Sequence, residues 1–135
     1  MQMSAKGGGM KVRELYAGFR ESFVEIAEAT DALHAEVWSH EGDPLLHLWF
    51  EDLARFLNSR MDTSDFDAKI SGVFKFFDGH WGTGSAEVRA CIDNSFVENL
   101  FWQVPPTRAK PIWHIMPPRL QDLYVEFHGK PPNIS

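Results

Sequence analysis

Three histidines, His34, His40 and His47, lie in one acidic stretch of this 135-residue chain. Asp31 precedes His34 by three residues and Glu51 follows His47 by four, spacings that put each pair on one face of a helix, as a metal site needs. Neither H-E-x-x-H nor a pair of E-x-x-H motifs accompanies them, and single D-x-x-H and H-x-x-x-E matches are common by chance. No metal site is therefore assigned, and a His/carboxylate metal-dependent enzyme is the less favoured alternative. His80 in DGHWGTG and His114 in PIWHIMPP sit beside tryptophan in turn-rich segments and read as loop residues bonded to backbone. The GTG after Trp81 lacks the G-x-x-x-x-G-K-[ST] pattern of a phosphate loop. Cys91 falls on an apolar helix face, where a thiol is inert, and a single cysteine excludes an internal disulfide or a multi-thiolate zinc site. No catalytic constellation emerges and no cofactor is implied, so the chain reads as a non-enzyme.

The strongest chemical signal is charge. Between Arg20 and Arg55 there is no Lys or Arg, yet nine carboxylates occur: Glu21, Glu25, Glu28, Asp31, Glu36, Glu41, Asp43, Glu51 and Asp52. A solvated helix exterior normally mixes both signs, because like charges at i, i+4 oppose helix formation. One-signed charge instead suits docking to a cationic partner. The expected contact residues are Glu25, Glu28, Asp31, Glu36, Glu41 and Asp43, with Trp38 as an aromatic anchor among them. A helical adaptor module that joins other proteins without inhibiting them is the alternative.

Composition narrows the setting. The formal net charge of −6 argues against nucleic acid as the main ligand, since phosphate contacts need clustered Lys and Arg. No apolar run approaches a membrane span and the first residues lack a signal peptide's apolar segment, which predicts a cytoplasmic protein without a membrane partner. Eleven Phe and five Trp demand a thick core or an exposed binding surface.

Apolar periodicity predicts an all-α single domain of five or six mostly antiparallel helices over residues 11–130. Polar, glycine-rich residues 1–10 form a flexible leader or expression tail, and 131–135 a C-terminal tail. The first helix is expected from Lys11 to Ala29, with Thr30 and Asp31 capping a short helix over Ala32–His40, which could equally continue the first helix with a kink. Asp43 and Pro44 start the next, which ends near Arg60. Thr63 or Ser64 caps a fourth that Gly79, Gly82 and Gly84 terminate. Ser85–Gln103, apolar nearly all round, is expected to be the central buried helix, with Asn99 tying it to neighbouring backbone. Five prolines in residues 104–118 predict an extended strap, before a last helix from Pro117 and Pro118 with Leu120, Leu123, Tyr124 and Phe127 inward.

LHLWFEDLARFL, SFVENL and PPRLQDLYVEF together resemble a family of small all-helical bacterial immunity-like proteins of polymorphic and contact-dependent toxin systems. The likeness runs from about Leu45 to Phe127; where that family carries Gly-Pro before the last helix, this chain has Pro117 and Pro118. The resemblance implies a protein that neutralises a cognate protein toxin by binding it. The acidic composition implies that such a toxin is basic, as a nuclease that must attract phosphate is.

Overall fold

The computed structural model describes residues 11–38 and 45–134, without the side chains of Val37 and Trp38. The fold is all-α, in a single domain whose described residues form seven α-helices. Helix α1, Val12–Ser22, buries Val12, Leu15 and Phe19, and its start is capped by the Lys11 backbone N–H donating to the Glu14 carboxylate at 2.8 Å. The break that was expected at Thr30 falls instead at Phe23, whose backbone leaves the helical region (φ −136°, ψ 65°). Phe23 thereby keeps its ring against Phe19 and Phe76 while the chain turns into α2, Val24–Trp38. Thr30 is no cap: its hydroxyl donates to the Ile26 carbonyl one turn back, which leaves α2 continuous through Asp31. His40, Asp43 and Pro44 lie outside the described residues.

Helix α3, Leu46–Ser59, is the structural axis. Its contacts with α2 advance together along both chains, Asp31 with Trp49 and His34 with Asp52, so these neighbours run in the same sense and not antiparallel. Trp49, fully buried, meets Tyr16, Phe19 and Phe50 edge-on; Phe19 in turn stacks on Phe77, and Phe77 lies 4.4 Å from Phe96. Most of the aromatic content is thus core, where truncating one ring to Ala costs about 3–5 kcal/mol.

Helix α4, Asp67–Thr83, runs through Gly79 and Gly82, further than its glycines suggest, and carries His80 in its last turn against Phe76. The expected long central helix is a composite. Ser85 caps α5, Ala86–Ala90; the backbone then widens into a π-segment over Cys91–Phe96, tightens to a 3₁₀ turn over Val97–Asn99, and leaves the helix at Leu100. The widening inserts an extra residue per turn, which lets Cys91, Ile92, Ser95, Phe96 and Val97 all face inward.

The proline-rich stretch is a helix and not a strap. In α6, Pro106–Ile115, Pro105 and Pro106 occupy the cap and first position, where no N–H is needed, and Pro111 forfeits one interior bond. Arg108 pins α6 by donating from Nε to the Met61 carbonyl at 2.7 Å and from Nη2 to Thr63 O and Asp67. Helix α7, Pro118–His128, buries Leu120, Leu123 and Tyr124 as expected, and Gly129 (φ 82°) closes it in the left-handed conformation glycine allows. Phe127 does not join them: it is 58% exposed, because Tyr124 stacks on His128 and takes the inner position of that turn.

Candidate functional site

The structure keeps His34 near Asp31 and His47 near Glu51, but gives each of these residues except Glu51 a hydrogen-bond partner outside its pair. Asp31 turns to Arg20, which donates two hydrogen bonds to it at 2.9 and 2.7 Å, and accepts a third from the Trp49 indole at 2.9 Å. Burial opposes the charge on Asp31, but the Arg20 and Trp49 bonds outweigh it and hold the carboxyl below its ordinary 3.8. His34 meets Asp52 through Nδ1 at 2.8 Å, both side chains buried, and Arg55 donates to the other Asp52 oxygen at 2.8 Å. His47 lies 3.3 Å from the Ser95 hydroxyl, on the opposite flank of α3. Among the described residues no three His, Cys, Asp or Glu side chains are grouped as a metal ion requires.

Of the expected contact residues, Glu25, Glu28 and Glu36 are exposed along α2, with Glu25 3.7 Å from Lys69. Asp31 is committed internally. Trp38 closes α2, and Glu41 and Asp43 lie outside the described residues. His114 is exposed on α6, a helix rather than a loop. Cys91 is buried, and its thiol is pushed up to about 12, chiefly by burial, so it is no nucleophile near neutral pH. Asn99 ties the central segment to itself, donating to the Ser95 carbonyl one turn back.

Two surfaces emerge along α3 instead. The first is a like-charged seam where α3, the π-segment and α7 meet. Burial raises the carboxyl of Glu51, and the neighbouring Asp52 raises it further, with His47 opposing. Asp93 is raised by burial and by Glu126; Glu98 by burial, then Asp93 and Glu51, with His128 opposing. No ion pair among the described residues engages Glu51, Asp93, Glu98 or Glu126. Only Glu51 was visible in the sequence as a helix-face acid. Asp93 and Glu98 are brought to the seam by the π and 3₁₀ turns, which a regular helical wheel does not reproduce.

The second surface surrounds Trp102. The Asn58 amide on α3 reaches across to the loop after the 3₁₀ turn, donating to the Asn99 carbonyl at 2.9 Å and accepting from the Phe101 N–H at 2.8 Å. Phe101 (φ 70°) and Gln103 (φ 60°) are both held in the left-handed region, at a cost of about 1–3 kcal/mol each. That geometry sends Phe101 inward against Trp113 and Tyr124 and leaves the Trp102 indole 67% exposed. Beside it opens a cleft of about 570 Å³ lined by Leu33, Phe56, Met61 and Val104, with Arg55, Arg108 and Asp62 at its polar positions. Nothing in the sequence distinguished Trp102 from a core tryptophan, because it falls on the apolar arc of the helix that periodicity predicts.

The matched stretch is residues 16–129. The chain belongs to the family described as a domain of unknown function, DUF7674. That family match takes in both surfaces, from Leu33 on α2 to Glu126 on α7. No curated protein and no solved structure matches the chain.

Proposed function

We propose that this DUF7674 chain is a non-enzymatic binding protein that captures a cationic partner protein on its acidic face and acts in the cytoplasm as the immunity protein of a toxin pair. The observation that carries this reading is the seam of Glu51, Asp93, Glu98 and Glu126. Glu51, Asp93 and Glu98 are partly buried like charges that destabilise the free protein, with exposed Glu126 beside Asp93, and Lys or Arg side chains of a partner relieve them on binding. Exposed Glu25, Glu28 and Glu36 on α2, the other flank of α3, extend the negative field and speed encounter. The sequence resemblance to immunity-like proteins supports a toxin as the partner, held by contact and not chemically altered.

Co-expression with a basic toxin domain, sought among the genes neighbouring this one, tests the reading. Growth is rescued by the wild-type chain and lost with the Glu51→Lys, Glu98→Lys double variant at equal soluble expression. Rescue that survives the charge reversal contradicts the acidic-seam account.

A further inference from the structure

The Trp102 cleft is chemically unlike the acidic seam. Its walls are apolar, and of its charged positions Arg55 is paired with Asp52 and Arg108 with Asp67, leaving Asp62 and no concentration of carboxylates to draw a basic partner. The loop that forms its rim is held by Asn58 in a strained backbone that points an indole into solvent. We propose that this face binds a second copy of the same chain, each Trp102 entering the cleft of the other across a two-fold axis.

Three features support a copy over another occupant. An isologous interface needs a patch that offers both a projection and the recess that receives it, and the cleft has Trp102 beside Leu33, Phe56 and Met61. A charged rim about a two-fold is self-complementary when it carries both signs: exposed Asp62 lies on the same rim as Arg55, whose guanidinium donates inward to Asp52 while its side chain is half-exposed. Finally, on a chain of net charge −6 two copies approach most readily where guanidiniums offset carboxylates, as they do here. Trp at the centre of such a patch supplies most of the affinity.

Sedimentation equilibrium of the full chain, from about 1 μM to about 1 mM at low and high salt, tests the proposal. The mass is expected to rise from 15.4 kDa toward twice that value, at lower concentration in high salt, because salt screens the repulsion between two acidic copies. Trp102→Ala, at an exposed position, keeps the monomer's melting temperature and stays monomeric throughout; Asp62→Lys weakens association about tenfold. A wild-type chain that remains monomeric over the whole range, or a Trp102→Ala variant that dimerises like wild type, overturns the proposal. Capture of a basic partner weakens with salt, the opposite response, so the two readings fail independently.

Discussion

At the scale of single residues, Asp31 and its neighbours Glu28 and Glu36 show how one acidic stretch divides into different tasks. Asp31 is the only one of the three that accepts from a buried indole, so Asp31→Ala leaves the Trp49 N–H unpaired in the core. Chemical denaturation should show a loss of about 1–3 kcal/mol for that variant. Glu28→Gln and Glu36→Gln, at exposed positions, should stay within about 0.5 kcal/mol of wild type. Asn58 is a second residue of high consequence. Its amide satisfies the Phe101 N–H and restrains the left-handed loop, and Asn58→Ala should cost about 1–3 kcal/mol while Trp102→Ala costs little. Sequence spacing marks Asp31 as an acid near His34, but the choice between Arg20, Trp49 and His34 as its partner depends on how α1, α2 and α3 pack, which no local pattern encodes.

Among the elements, α6 is the one where a local rule yields to context. Pro111 is half-buried within it and removes one backbone bond, so Pro111→Ala should raise the melting temperature by a few degrees, provided the ring's packing is replaced without a cavity. Periodicity identified the inner faces of α1, α3, α4 and α7 because each keeps a 3.6-residue stripe: Leu15 and Phe19, Trp49 and Leu53, Ile70 and Phe77, Leu120 and Tyr124 are all buried, although Leu45, which extends the α3 stripe one turn back, is 52% exposed just before that helix begins. It failed where the stripe changes pitch. Across the π-segment and the start of the 3₁₀ turn both Cys91–Ile92 and Ser95–Val97 turn inward, and the chain leaves the helix at Leu100, so the stretch that looked like one buried helix to Gln103 delivers an exposed Trp102. It also failed at Thr30, a good cap residue whose hydroxyl is satisfied within α2. The acidic stretch of α2 was legible as charge; the seam with Asp93, Glu98 and Glu126 was not, because it is assembled from three elements distant in sequence.

For the whole molecule, the two classes of carboxyl make opposite contributions to stability as pH changes. Glu51, Asp93 and Glu98 have folded values above their ordinary 4.5, 3.8 and 4.5, so the native state binds more protons than the unfolded chain through that window. Stability therefore rises as pH falls from neutral through their raised values, and the gain is complete below the ordinary ones. Asp31 is depressed: its contribution is fully present above 3.8 and is lost as pH falls through its folded value. Thermal unfolding should thus show a maximum on the acid side of neutrality and a fall below about pH 4. Glu51→Gln should flatten the upper limb and raise the neutral-pH melting temperature by about 1–3 °C. A gain in stability at neutral pH joined to a loss of partner binding is the signature of a surface kept for function. The most direct measurement is capture from the source organism's lysate on the immobilised wild-type chain and on the Glu51→Lys, Glu98→Lys variant, with bound proteins eluted by stepped salt and identified by mass spectrometry. A basic toxin domain is expected to be retained by the wild type at low salt, released as salt rises, and absent from the variant. Equal retention of that domain by both, or elution that ignores salt, contradicts the acidic-seam reading.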